Sequence, residues 1–210
     1  MSNKVRLPLV LFLSALSLMV YAQERRDALR EYRLGNYQAA VDICRFELEN
    51  TPENMDSYVV LCWSLVKLSQ YDQASTAALK GRELNRYDPR IIEVLGEIRY
   101  FQGKNNEALN LFQEYITLAP EGGRIDVVYY YMGELFLRMG KFKHADIALS
   151  TAVRYVPTDA LWWTRLGYAR ENAADYRYAI AAYDRAIVLN PQSQDALRGL
   201  ERTRRKLPSR

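Results

Sequence analysis

The chain has 210 residues, 49% of them hydrophobic, with 10 glycines and 7 prolines. That composition excludes a collagen-like or long low-complexity polymer and allows one well-buried domain or an elongated array. The formal charge of +4 includes Lys4 and Arg6, leaving about +2 for the rest, which is not the basic stripe expected of a nucleic-acid-binding domain.

Residues 1–22 read as an export signal. A short basic start precedes an apolar run from Leu7 to Val20, and Val20-Tyr21-Ala22 offers small or short residues to a signal peptidase, leaving Gln23 first. The run is 14 residues long, against the ~20 that span a bilayer. An uncleaved membrane anchor is the competing reading, and no cysteine follows the run to carry a lipid. The expectation is an exported protein, periplasmic or tethered by this segment.

From residue 23 onward one pattern recurs every 34 residues, clearest in 160–193. There, apolar or small residues fall at Trp163, Leu166, Gly167, Ala179, Tyr183 and Ala186, and the unit closes on Pro191. Two amphipathic helices with a break at 172–176 fit that spacing. In chain order, repeat 1 (23–54) has Ala28, Gly35, Tyr37, Ala40 and Pro52 at matching places. Repeat 2 (55–88) has Leu61, Cys62, Tyr71 and Ala74, with Arg86 replacing the closing proline. Repeat 3 (89–122) opens on Pro89 and carries Leu95, Gly96, Gly103, Ala108, Phe112 and Pro120. Gly123, Arg124 and Ile125 are three extra residues, expected to bend the array locally. Behind them repeat 4 (126–159) resumes with Tyr129, Met132, Gly133, Gly140, Phe142, Ala145 and Pro157, and repeat 5 is 160–193. Residues 194–207 form one more amphipathic helix, with Ala196, Leu197 and Leu200 on one face, and fit a terminal cap. Arg198, Arg202, Arg204, Arg205, Lys206 and Arg210 crowd this end. They are either a solvated helix end or a docking site for an anionic surface.

A lone hairpin of this kind cannot bury its apolar faces, so each unit must stack on the next. Gly96, Gly133 and Gly167 lie in helix interiors, where glycine costs ~1 kcal/mol relative to alanine. The cost is tolerable if the partner helix approaches closely, and Ala108, Ala145 and Ala179 are the small residues expected to meet them.

No enzyme site is visible. His144 is the sole histidine, so no metal centre or catalytic pair can be completed with a second one. The glycines form neither a dinucleotide fingerprint nor a phosphate loop, and carboxylates such as Glu47 and Glu49 suit a solvated helix face. No cofactor or metal is implied. Cys44 and Cys62 are an even pair that an exported protein could oxidise to a disulfide, or two buried free thiols.

The pattern resembles the tetratricopeptide repeat family, whose signature is an aromatic, Leu-Gly, a tyrosine, an alanine, a phenylalanine and a closing proline. Trp163, Leu166-Gly167, Ala179, Tyr183 and Pro191 match, while Arg170 departs where tyrosine is usual. The resemblance implies an all-α fold, a right-handed superhelix (solenoid) of antiparallel helix hairpins. It also implies that the first helices of successive hairpins line a concave groove that takes a protein or peptide partner. Transferred by position, the groove residues are Arg25, Leu29, Tyr32 and Arg33 in repeat 1, and Asp56, Val59, Trp63 and Lys67 in repeat 2. Repeats 3 to 5 add Arg90, Glu93, Glu97, Tyr100 and Phe101, then Val127, Tyr130, Glu134 and Arg138, then Leu161, Thr164, Tyr168 and Glu171. Some family members clamp a chaperone's terminal carboxylate with lysine and asparagine. Arg25, Leu29 and Val60 stand at those places, which does not support that mode. The expectation is a non-enzymatic scaffold of the bacterial cell envelope, the alternatives being a ligand-binding accessory of a transporter or envelope-polymer machine, or self-assembly through repeat faces.

Overall fold

The computed structural model describes residues 27–207; the export-signal segment and Arg25 lie outside them. The described residues form eleven helices and no strand: α1 (Ala28–Arg33), α2 (Tyr37–Asn50), α3 (Met55–Lys67), α4 (Tyr71–Leu84), α5 (Pro89–Phe101), α6 (Asn105–Leu118), α7 (Ile125–Arg138), α8 (Phe142–Tyr155), α9 (Ala160–Asn172), α10 (Tyr176–Leu189) and α11 (Gln194–Lys206). Each odd helix and the even helix after it form an antiparallel hairpin, and α11 closes the array. The backbone of each odd helix approaches that of the next odd helix, whereas even helices approach one another only through long side chains, as Arg45–Gln73 and Arg82–Glu114 do. A stack in contact along one side and separated along the other must curve toward the contacting side. The odd helices therefore form the inner, concave wall.

Local chemistry starts these helices. The side chains of Asp27, Asn54, Asp88, Asp159 and Ser193 each accept a backbone N–H in the first turn of α1, α3, α5, α9 and α11, which satisfies one of a helix's orphan donors. Pro89 occupies the first turn of α5, where its missing N–H costs nothing. The even helices have no such bond, and among the odd ones α7 is the exception. Its cap residue is Arg124, from the three-residue insertion, and makes no side-chain cap bond.

The turn between the two helices of each hairpin has one residue in the left-handed region, at the same place in all five repeats. It is Gly35 (φ 82°), Ser69 (58°), Gly103 (74°), Gly140 (68°) and Ala174 (62°). Glycine takes this conformation freely, while Ser69 and Ala174 carry the Cβ penalty.

The interior glycines behave as expected in kind but not in partner. A methyl on Gly96 would stand 2.5 Å from Phe112, one on Gly133 2.5 Å from Leu149, and one on Gly167 2.7 Å from the Tyr183 ring. The facing groups are thus large side chains one turn beyond Ala108, Ala145 and Ala179, which are fully buried elsewhere in the seam. Glycine here makes room for a ring or branched side chain to lie flat against the backbone, which gains more contact than an alanine facing a glycine. Tyr183 is held from both sides, since a methyl on Gly199 of α11 would stand 2.3 Å from the same ring.

Gly167→Leu should therefore destabilise the fold by ~1–3 kcal/mol through overpacking. Gly123→Ala, with nothing within 4 Å of its added methyl, should stay within about 0.5 kcal/mol of the wild type. Ala174→Gly should stabilise by about 0.5–1 kcal/mol, the left-handed penalty less the added chain entropy of glycine. Thermal denaturation of the three variants checks the set; an unchanged melting temperature for Gly167→Leu would count against the packing register.

Candidate functional site

The inner wall is built from matching positions on α1, α3, α5, α7 and α9, so whatever lines it repeats once per hairpin. Toward the N-terminal end it opens into a cleft of about 410 Å³ whose lining includes Leu29, Asn54, Asp56, Trp63 and Arg90. The indole Nε1 of Trp63 is buried there without an acceptor among the described residues. Further along, aromatics join one hairpin to the next. Tyr32 lies 5.8 Å from Trp63, Phe101 stacks on Tyr71 at 5.0 Å, Tyr100 meets Tyr131 at 4.7 Å, and Tyr130 stacks on Trp162 at 5.0 Å.

Between the aromatics run ion pairs that span neighbouring hairpins. Arg90 bonds Asp88 at 2.7 Å and Asp56 at 2.6 Å. Arg124 reaches both Glu97 and Glu93, with its Nε 2.8 Å from Glu93 Oε1 but not aligned as a hydrogen bond. Arg165 grips both oxygens of Glu134 at 2.5 and 2.8 Å. Glu171 accepts two bonds from Arg202 at 2.6 Å, one from Lys206 at 2.9 Å and one from the Tyr183 hydroxyl at 3.0 Å.

Two buried glutamates on this wall are tuned in opposite directions. Glu93 is completely enclosed, and its pKa is pushed well above the carboxylate range by burial and by Glu97 one turn away, against the pull of Arg124. Glu171 is equally hidden (1% exposed), yet its pKa falls to about 2 because the bonds from Arg202, Lys206 and Tyr183 outweigh the burial that opposes them.

The predicted groove residues divide by accessibility. Arg33, Lys67, Arg90, Phe101, Arg138 and Tyr168 are exposed, and Tyr32, Trp63 and Tyr130 are half-buried. Val59 and Thr164 are corrected: Val59 is 1% exposed and belongs to the core. Thr164 is buried with its hydroxyl donating to the Ala160 carbonyl at 2.8 Å. Neither side chain can meet a partner. Glu97 and Glu134 are also buried, held by Arg124 and Arg165, and Tyr100 is buried under the Arg138 guanidinium, 3.7 Å from its ring centre. They shape the wall without presenting a free group. Cys44 and Cys62 are free, buried thiols. Burial, reinforced by Glu47, pushes Cys44 up to about 12, and burial raises Cys62 further, so both are protonated and unreactive as nucleophiles. His144 is exposed beside Phe136. Among the described residues no cluster of histidine, cysteine or carboxylate side chains could hold a metal, and no helix is long and apolar enough to cross a membrane.

Sequence reasoning named Arg33, Lys67, Arg90, Arg138 and Arg202 but not the acids that Arg124, Arg165 and Arg202 hold. Arg165 and Arg202 occupy register positions that carry no signature, and Arg124 falls in an insertion. A signal for Arg124 was nevertheless present. Every other odd helix has Asp, Asn or Ser at its cap position, and an arginine there gives up a capping bond worth about 1 kcal/mol.

The opposed glutamates give a pH test. A raised folded-state pKa contributes stability below the unfolded value of about 4.3 and loses it as pH rises, whereas a lowered one contributes above that value and loses it as pH falls toward 2. Glu93→Gln should therefore hold or raise the melting temperature at pH 8 and flatten its fall between pH 5 and 8. Glu171→Gln should cost about 1–3 kcal/mol at pH 7, because Arg202 and Lys206 are half-exposed and regain water. That deficit should narrow below pH 4. Thermal melts across pH 2–8 read both.

Residues 130–194 match the family described as tetratricopeptide repeat. The peroxisomal targeting signal receptor of Candida albicans is 29% identical over 153 residues, covering 69% of this chain and 25% of that protein. The receptor of the same name from Pichia angusta is 30% identical over 151 residues, 68% of this chain and 25% of that one. The chain thus spans about a quarter of the length of these curated relatives. Among solved structures, YrrB, described as a tetratricopeptide repeat protein with an unusual peptide-binding site, superposes with a TM-score of 0.70 at 17% identity, covering 78% of this chain and 82% of that one. Pseudomonas aeruginosa pilF gives 0.73 at 20% identity, covering 85% and 80%. At these identities the structural likeness is one of fold. The family match over residues 130–194 and the same hairpin unit recurring from Ala28 to Lys206 identify the repeats of this chain as tetratricopeptide repeats.

Proposed function

We propose that this protein is a non-enzymatic scaffold that holds a protein or peptide partner in its inner groove, and that it works in the bacterial cell envelope. Tetratricopeptide repeat proteins generally mediate protein–protein interaction. The observation that carries the groove reading is the run of accessible aromatics on successive inner helices: Tyr32, Trp63, Phe101, Tyr130 and Tyr168. Aromatic and arginine side chains on a recessed wall are the composition of recognition hot spots. YrrB, a protein of the same fold described as having an unusual peptide-binding site, supports that use of the fold. The envelope assignment rests on the basic and apolar pattern of residues 1–22.

A second reading has one observation in its favour. The cleft beside Trp63, about 410 Å³, falls within the ~300–1,000 Å³ typical of small-molecule sites. Native mass spectrometry of the purified full chain separates the two, since a small ligand carried through purification supports the second.

A photo-cross-linker placed at Trp63 or at Phe101 should capture the same partner in intact cells. One placed at Phe46, which is 66% exposed on the outer face, should not. Equal capture from Phe46 would move the interface to the convex side. A mature chain beginning at Gln23 is the expected result of N-terminal sequencing; retention of residues 1–22 would indicate an anchor.

A further inference from the structure

Six acids of the inner wall are held by its own arginines and lysine, while three exposed cations on its rim have no carboxylate partner among the described residues. On the inner wall Asp56 and Asp88 are bonded to Arg90, Glu93 and Glu97 to Arg124, Glu134 to Arg165, and Glu171 to Arg202 and Lys206. Asp126 lies in the first turn of α7, where the helix dipole favours a negative charge. By contrast, Arg33, Lys67 and Arg138 are exposed and have no carboxylate partner among the described residues. These three occupy the same place, the last residue of α1, α3 and α7. In α5 that place is taken by Phe101, 41% exposed and flanked by Tyr71 and Tyr100. The rim of the groove is therefore a rail reading cation, cation, aromatic, cation.

One of these cations is already positioned. The Arg138 guanidinium lies 3.7 Å from the Tyr100 ring centre and donates to the Tyr100 carbonyl at 3.1 Å. That fixes the plane of the fork while leaving its other N–H groups for an incoming carboxylate. The helix C-termini beneath the rail each present about half a negative charge, which a full cation at each of three ends exceeds.

We propose that this rail takes an acidic, extended segment of the protein partner, with an apolar side chain seated on Phe101. This rests on the groove reading above and narrows it to a class of ligand. Packed helices stand about 8–10 Å apart and an extended chain advances about 3.3 Å per residue, so each repeat accommodates about three residues. The matching segment carries side-chain carboxylates at its first, fourth and tenth places and an apolar residue at its seventh. It is read along its length, not by its terminal carboxylate. A flat anionic membrane fits less well. Three basic residues near such a surface give only ~1 kcal/mol each, and a membrane cannot enter the recess where Trp63 and Tyr130 lie.

The test is titration calorimetry of the full chain with an amidated ten-residue peptide of that pattern, glycine and serine filling the other places, and with its reversed sequence. The expected result is binding in one orientation that weakens by about tenfold between 0.1 and 0.5 M salt. Binding should also weaken by at least about tenfold in the combined Arg33→Glu, Lys67→Glu, Arg138→Glu variant. The same peptide with lysine for glutamate should not bind. Because Arg138 touches Tyr100, the double variant Arg33→Glu, Lys67→Glu, whose side chains are solvent-exposed, provides a version with an unaltered fold and should lose most of the affinity. The proposal is overturned if acidic and basic peptides bind alike, or if neither binds. It also falls if the charge-reversed variant loses binding to phosphatidylserine vesicles but not to the peptide. Persistence of the Trp63 cross-link while the acidic peptides fail would sink this inference and leave the groove reading standing.

Discussion

The closeness of the two helices in each hairpin is the constraint on which the array depends. Gly96, Gly133 and Gly167 let Phe112, Leu149 and Tyr183 lie against bare backbone, and no larger residue fits without moving a ring. Once that distance is set, the backbones of neighbouring odd helices come close and those of the even ones stay apart, so curvature and the groove follow from it. The C-terminal end shows the same contact used twice. Tyr183 sits between Gly167 and Gly199 while its hydroxyl serves Glu171, and Glu171 in turn holds Arg202 and Lys206. Packing and charge therefore bind α11 to the last hairpin through one tyrosine.

Charge on the inner wall is organised across repeats, not within them. Arg90, Arg124, Arg165 and Arg202 each reach back to an acid on the preceding hairpin. Where the acid is buried, as at Glu97, Glu134 and Glu171, such a pair adds little net stability but losing one partner is costly, which favours this order of stacking. The insertion at residues 123–125 fits this logic. It replaces a capping side chain with an arginine that neutralises the most deeply buried acidic pair, Glu93 and Glu97.

Most of the fold was legible in the sequence because it depends on local, periodic requirements. A residue in the left-handed region at one turn position, a small residue at the helix crossing and a proline at the unit's end recur every 34 residues, and repetition separates them from noise. What the periodicity could not supply was the identity of the group facing each glycine, since Ala179 and Tyr183 share one helix face and only rotamer and crossing geometry choose between them. The groove was partly legible. Trp63, Phe101 and Tyr168 are accessible where the register put them, but Val59 and Thr164, one turn before Trp63 and Tyr168 on the same helices, are buried. Accessibility at those positions depends on the bulk of the neighbouring hairpin. The pairing of Arg124 and Arg165 was not legible, because each partner lies about thirty residues away at a position with no signature.

Successive even helices meet only through side chains, which has a mechanical meaning. The outer face carries solvated clefts, among them one of about 540 Å³ whose lining includes Arg45, Leu48, Gln73 and Lys80, bridged by polar contacts such as Arg45 to Gln73 at 2.7 Å. When the coil tightens or relaxes, these clefts change width by exchanging water, while the apolar seams inside each hairpin stay intact. The molecule is accordingly a spring, stiff across each hairpin and soft along its length. Its resting pitch, and not any single side chain, sets the spacing of the exposed groups along the inner wall.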